Sequence, residues 1–365
     1  MKKLEALTTV YSYMYPEVRR VLLNTLFPSI IEEVSRNPHN NGMVSMLKND
    51  SDFLALLERV FASEYLSKLL QQPNEMDAMH IPIIQKYVDL HSASIPGLNK
   101  FPYRYPTAGS EEGIREVMTH LLAQGVEDIY VLKGEYEGYN FLGQTRGYKT
   151  PSGIQRVKTV EIDPEKIKPI DLKPGWFFIS NPSARDGNVI PEDFLDEIRK
   201  AGHLIFYDLA YADSTNPKDK FDLNHENDRF AVVSFSKPYG LFYFRAGFAF
   251  SKDEIPSLYG NKWFKVVPSL LVADKIMDKI KPGQLFTKYR PVQEAIVEGI
   301  NQDFGLGIRV SDALLLGHLT GHDAAKLNQS QLGVISTFKR GDGYRFCLKP
   351  YYEKIERERS LNSNL

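Results

Sequence analysis

Between residues 107 and 250, short apolar runs alternate with stretches of helical spacing, and this alternation most narrows how the chain can fold. Ile129 to Leu132 and Trp176 to Ser180 are apolar or aromatic runs with turn residues beyond them. Pro191 to Lys200 reads as a helix and His203 to Asp208 as the strand that follows it. Arg229 to Ser234 and Ala246 to Phe250 read as further strands. The pattern predicts an α/β domain with a largely parallel sheet, in which ligands bind beyond the carboxyl ends of the strands.

The flanking regions read differently. Residues 1–95 carry apolar positions at helical spacing over Glu17 to Val34 and Asp52 to Gln71, with a loop signal, NPHNNG, at 37–42. We expect a helical N-terminal segment over 1–95, a large α/β domain over 96–270 and a small C-terminal α+β domain over 271–365. The last would hold a helix over Val292 to Asn301, an apolar stretch from Ala313 to Leu319 and a closing strand near Tyr344 to Leu348.

Charge and cysteine usage exclude several roles. A formal net charge of -1 gives no basic excess for general binding to nucleic acid or a membrane surface. The single cysteine, Cys347, forms no internal disulfide and no multi-cysteine metal site, so no metal is expected and a reducing cytoplasm suits the chain. No apolar run reaches the roughly 20 residues that span a bilayer. The start, MKKLEALTTVYSYMYPEV, admits Glu5 early and lacks the long apolar stretch of a signal peptide.

Three segments carry side chains suited to chemistry. In SFSKPYGLFYFRAG at 234–247, Lys237 lies in a small-residue turn after an apolar strand, where it would face a ligand. Arg245, eight residues on, is placed to pair with a phosphate. Both residue types are also common on solvated surfaces. Asp208 closes the strand in YDLAY, where a carboxylate is able to hold a pyridine nitrogen protonated or simply to cap a turn. TAGSEEGI at 107–114 opens a helix, whose free amides favour a phosphate, and equally reads as an ordinary N-cap at Ser110.

Taken together, these segments resemble the aminotransferase class I/II group of fold type I enzymes that use pyridoxal 5′-phosphate (PLP). SFSKPYGLFYFRAG resembles the signature Ser-x-Ser-Lys-x-x-Gly-Leu…Arg-x-Gly, YDLAY the Asp-x-Ala-Tyr element, and TAGSEEGI the phosphate turn. GEYEGY at 134–139 stands where the family has Pro-x-Tyr-x-x-Tyr, and SNPSARDGNVIP at 180–191 is similar to Asn-Pro-x-Asn-Pro-Thr-Gly-x-Val-x-Pro. The resemblance covers about 100–350 and implies the aspartate-aminotransferase-like fold. It makes Lys237 the Schiff-base lysine and proton carrier, Asp208 the partner of the pyridine nitrogen and Tyr211 a donor to the 3′-oxygen. Tyr136 and Ala210 would flank the ring. Ser234, Ser236, Arg245 and the amides of Ser110 and Glu111 would hold the phosphate. Arg345, in KRGDGYRFC, would fork onto the substrate carboxylate, with Arg340 as its competitor.

One departure qualifies that expectation. Where the family reads Asn-Pro-Thr-Gly, this chain reads Ala184-Arg185-Asp186-Gly187, so the asparagine donor to the 3′-oxygen is missing. Asn181 and Arg185 are the candidate replacements, and Arg185 also a candidate for meeting an acidic substrate group. The resemblance implies an aminotransferase acting on an amino acid through an external aldimine, with an oxo acid as acceptor, working as a homodimer in the cytoplasm. An elimination or cyclisation enzyme on the same fold is the alternative that the altered loop favours, since fold does not choose among these reactions. A PLP-binding sensor that does no chemistry would need a DNA-binding module, and 1–95 lacks a basic recognition-helix pattern.

Overall fold

The computed structural model of the chain describes residues 4–9, 13–26, 76–145, 147–150, 153–264 and 267–362. The expected loop at 37–42, the helix over Asp52 to Gln71 and the far end of the helix from Glu17 lie outside the described residues.

In chain order the first strands are β1 (Tyr103–Thr107), β2 (Asp128–Leu132), a short antiparallel pair β3 (Tyr148–Thr150) and β4 (Gly153–Gln155), and β5 (Lys158–Ile162). β6 (Trp176–Ser180), β7 (Leu204–Leu209), β8 (Asp228–Ser234) and β9 (Gly247–Ser251) follow. All but β3 and β4 form one sheet in the order β1-β9-β8-β7-β6-β2-β5. β8, β7, β6, β2 and β5 pair in parallel, whereas β9 runs antiparallel to both β8 and β1. Five of its strands, β2, β6, β7, β8 and β9, fall within a residue of the runs read from the sequence, whereas β1 and β5 are not anticipated there. The reversal of β9 brings its first residues to the edge where β1, β2, β5, β6, β7 and β8 end, so that edge collects seven loops.

The central strands β6, β7, β8 and β9 are buried almost throughout because both faces are covered, as parallel sheets require, whereas the edge strand β5 is much more exposed. The longer helices among the described residues are α1 (Pro16–Leu26), α2 (Met76–Leu90), α3 (Ser110–Ala123), α4 (Glu137–Thr145) and α5 (Glu192–Lys200), then α6 (Val267–Lys279), α7 (Gln284–Phe304) and α8 (Lys349–Asn362). On one face Ile114, Val117 and Leu121 of α3 pack with Phe178, Phe206 and Val232. On the other, Ile84 and Tyr87 of α2 and Ile198 of α5 pack with Phe177, Tyr207 and Val233. Each buried aromatic removes its apolar surface from water at roughly 25 cal/mol per Å². α5 begins after Pro191 with two acids and ends with two bases, complementing its dipole, and Gly202 follows at φ 80.

A second, antiparallel sheet of β10 (Arg309–Val310), β11 (Leu316–Leu319), β12 (Lys339–Arg340) and β13 (Gly343–Cys347) lies within 271–365, in the order β10-β11-β13-β12. α6 runs through position 270, where the sequence places a domain boundary. Residues 4–9 depart from the helical expectation for the N-terminal segment. They meet the end of β13 at one bridge, with Leu7 and Cys347 exchanging both backbone hydrogen bonds at 3.0 and 2.9 Å. The hairpin between β12 and β13 meets the loop after β2 so closely that a Cβ on Gly134 would stand 2.5 Å from the Gly341 nitrogen. Glycine at 134 is thus what lets the small sheet's hairpin reach the rim of the large one.

Candidate active site

The loops at the carboxyl edge enclose a cavity of ≈ 300 Å³. Ser110 and Glu111 reach it from the start of α3, and Tyr136 from the loop after β2. Asp208, Ala210 and Tyr211 enter from the end of β7, and Ser234, Ser236 and Lys237 from the end of β8. Arg245 enters just ahead of β9, and Arg345 from β13 of the small sheet. Ser180 and Asp208 are register partners, so β6 and β7 end side by side and their loops share the cavity wall.

Burial dominates the electrostatics. Loss of hydration pushes the Lys237 amine down to about 8; Cys347 opposes this, while Arg345 and Arg245 add to it. The amine lies 5.8 Å from the Phe242 ring centre. Burial also pushes the Asp208 carboxyl up to about 7, against the Ala210 amide at 3.1 Å, the Tyr139 hydroxyl at 3.4 Å and the charge of Lys237. Tyr139 in turn shares a 2.8 Å hydrogen bond with Ser180. A cation at the pyridine position would restore the ionised form of Asp208. Tyr136 is 38% exposed at the rim, edge-on to Tyr139 with ring centres 5.4 Å apart.

Arg345 is almost fully buried, and its guanidinium is partly committed: Nη1 donates to the Ala184 carbonyl and Nη2 to the Thr8 carbonyl at 3.2 Å. Its Nε is buried with no hydrogen-bond partner among the described residues. Arg340 also lines the cavity but is ion-paired with Glu137.

Two expected site residues lie elsewhere. Asn181 is buried outside the cavity lining, its Oδ1 accepting from the Ile190 amide at 2.9 Å. Arg185 turns away to Asp186, with Nη2 3.0 Å from Oδ2, and lines a separate cleft beside His318 and Asp342. The reason is local: a carboxylate at the next position captures the guanidinium before it reaches the cavity. Sequence reasoning missed Thr9, Phe242 and Glu135, all of which line the cavity. Glu135 stands beside Tyr136 in a segment already singled out, yet nothing in the sequence signals its burial. Thr9 gives no signal at all, because only the return of residues 4–9 to β13 brings it there.

A family model for aminotransferase class I and II matches residues 106–305. This chain belongs to that family. A histidinol-phosphate aminotransferase from Syntrophotalea carbinolica is 27% identical over 177 residues, covering 43% of this chain and 50% of the relative. The chain thus spans about half the length of the curated relative it matches. Solved folds agree. The PLP-bound C-S lyase from Staphylococcus hominis superposes with a TM-score of 0.54 at 10% identity, over 73% of this chain and 77% of the other. Aspartate aminotransferase from Thermus thermophilus with maleate gives 0.53 at 13%, over 73% and 77%.

The cofactor of class I and II aminotransferases is PLP, and the residues present fit it. The Ser236 hydroxyl is buried in the cavity lining without a hydrogen-bond partner among the described residues. It faces the same space as Arg245 and the first turn of α3, whose amides and dipole favour a phosphate. A desolvated lysine and a buried carboxyl enter from adjacent strands, β8 and β7, as a pyridine aldehyde requires. Among the described residues no group of three or more His, Cys, Asp or Glu forms a metal site, and no helix is long and apolar enough to cross a membrane.

Proposed function

We propose that this chain is a PLP-dependent aminotransferase that acts on an amino acid and passes the amino group to an oxo acid. The observation that carries the reading is the desolvated Lys237 amine in one small cavity with the buried Asp208 carboxyl. Bound PLP supplies an electron sink conjugated to the substrate's amino group.

The chain's own groups would then divide the work. Lys237 would hold the cofactor through its amine and would carry the proton of the substrate α-carbon. Its lowered proton affinity raises the neutral fraction near neutrality far above that of an ordinary lysine, to roughly a tenth. Asp208, ionised against the pyridine nitrogen, holds that nitrogen's proton in place. Arg245, Ser234, Ser236 and the amides of Ser110 and Glu111 anchor the phosphate. Tyr136 covers one ring face and Ala210 the other, and Tyr211 donates to the 3′-oxygen. Arg345 offers its Nε to the substrate carboxylate, already oriented by Ala184 and Thr8. The whole would work as a homodimer in the cytoplasm.

A second reading, elimination or cyclisation on the same site, is favoured by one observation: Ala184 stands where the family has its amide donor. A panel of amino acids with and without an oxo acid separates the two. Transamination turns over only when an oxo-acid acceptor is present. Elimination releases ammonia and needs none. Turnover with no amino acid, and no spectral response to any, contradicts both.

A further inference from the structure

Residue 184, where the chain leaves its family's pattern, is held at both its backbone amide and its backbone carbonyl. The Ala184 amide donates to Glu135 Oε2 at 3.0 Å, and Arg345 Nη1 donates to the Ala184 carbonyl. The other Glu135 oxygen accepts from the Ser183 hydroxyl. Glu135 therefore grips residues 183 and 184 while lining the cavity itself. Ala184 packs in one apolar cluster with Ala210 and Tyr211, the residue assigned to the 3′-oxygen. Where the family's pattern places an amide donor, this chain brings a buried carboxyl.

Resting on the function proposed above, we infer that Glu135 replaces the missing amide and sets the protonation of the cofactor's 3′-oxygen and its lysine linkage. The charged and titratable groups around Glu135 come from every neighbouring element. Arg185 and Asp186 lie on the loop that it grips, Tyr139 on α4, and Tyr211 and Asp208 at the end of β7. Arg345 reaches over from β13, and Lys237 lines the same cavity. Burial outweighs the Ser183 bond and the pull of Arg185 and pushes the carboxyl up to about 7, so its charge changes within the neutral range. An amide donor stabilises the ionised 3′-oxygen at any pH. A carboxylate does the opposite, holding the proton on the lysine linkage, and ceases to do so once it is itself protonated. Glu135 is thus a positioning and tuning residue rather than one that touches the reacting atoms. Through Ala184 it also fixes the carbonyl on which Arg345 rests.

The test is a pH titration of the visible absorption of PLP-loaded protein. Glu135→Gln is expected to lower the midpoint by about one pH unit, a tenfold change in proton affinity, because an amide replaces an anion. Ala184→Asn, which restores the family's donor without touching Glu135, is expected to move the midpoint the same way. A Glu135→Gln protein that binds PLP with an unchanged midpoint overturns the inference and leaves the proposed function standing. A wild-type protein that binds no PLP overturns both. The wild-type curve supplies a test that needs no variant. Two groups that sense each other titrate in two macroscopic steps, so a single one-proton curve overturns the inference even where Glu135→Gln fails to fold.

Discussion

Gly109 lies directly under the guanidinium of Arg245: a Cβ at 109 would stand 3.1 Å from Nη2 and 3.3 Å from Cζ. Gly109 has φ 83, and Arg245 itself is held in the left-handed region at φ 50, a conformation uncommon for a residue with a side chain. The turn before α3 and the entry to β9 are therefore built against one another, and the expected phosphate contact occupies that junction. Gly109→Ala is expected to strain the turn by about 1–3 kcal/mol and push Arg245 out of place. PLP affinity measured by absorbance titration should fall about tenfold or more. Unchanged affinity would mean that Arg245 does not hold the phosphate.

Lys237 yields a prediction with a pH sign. Its amine is pushed down to about 8, and only the neutral form attacks an aldehyde. Covalent capture of PLP, followed by stopped-flow absorbance, should speed up as pH rises and level off above about 8. A rate that keeps climbing to about 10, the range of an ordinary lysine, contradicts the desolvated site. Lys237→Ala should still bind PLP through its phosphate and ring but lose turnover. Borohydride followed by mass spectrometry should find the reduced adduct on Lys237 and on no other lysine.

Arg345 and Arg340 are expected to separate cleanly. Truncating Arg345 leaves a substrate carboxylate unpaired in a desolvated place, a loss on the order of 2–5 kcal/mol in kcat/KM for every amino acid accepted. Arg345→Lys should rescue little, since an ammonium cannot reproduce the fork. Arg340, paired with Glu137 at the rim, should be far milder. A crippled Arg340→Ala beside a mild Arg345→Ala would reverse the assignment.

Behind the cavity, His91 Nε2 lies 2.7 Å from Asp213 Oδ1, both groups buried. The hydroxyls of Tyr87 and Tyr239 also point to Asp213, at 3.4 and 3.3 Å. This links α2 to the turn after Tyr211 and to the loop carrying Lys237. Burial alone would lower the His91 pKa, but Asp213 and the Tyr87 carbonyl outweigh it and the net direction is up. A raised histidine gives its full stabilisation below its unfolded value and loses it as pH rises through the folded one. The native protein should thus lose stability as pH rises from the ordinary histidine range through the higher folded value. His91→Phe should remove that pH dependence and cost about 3–5 kcal/mol, because it leaves the buried Asp213 carboxyl without its partner. Urea unfolding at acidic and alkaline pH reads both effects.

Much of this molecule was legible before any coordinates. The apolar runs ending at Leu132, Ser180, Asp208 and Ser234 mark strands buried on both faces, and a polar residue just beyond such a run must emerge at the carboxyl edge. Eleven of the thirteen site residues expected, most of them only through the family resemblance, line one cavity, and Asn181 and Arg185 are the two that do not. Both exceptions are decided by a neighbour's competing hydrogen bond, the Ile190 amide in one case and the Asp186 carboxylate in the other.

What the sequence by itself determined is local: which segments become strands, where each ends, and which side chain stands just past the end. Strand pitch and the covering of both sheet faces dictate these features over a few residues. Only the tertiary structure decided which distant pieces meet. The carbonyl of Thr8 on Arg345, the carboxyl of Glu135 on Ala184 and the ring of His91 on Asp213 join residues far apart in the chain, through contacts with no periodic signature. The protonation of the site belongs to the tertiary structure for the same reason. The shifted affinities of Lys237, Asp208 and Glu135 arise first from burial, and burial is a property of everything packed around a group rather than of the group itself.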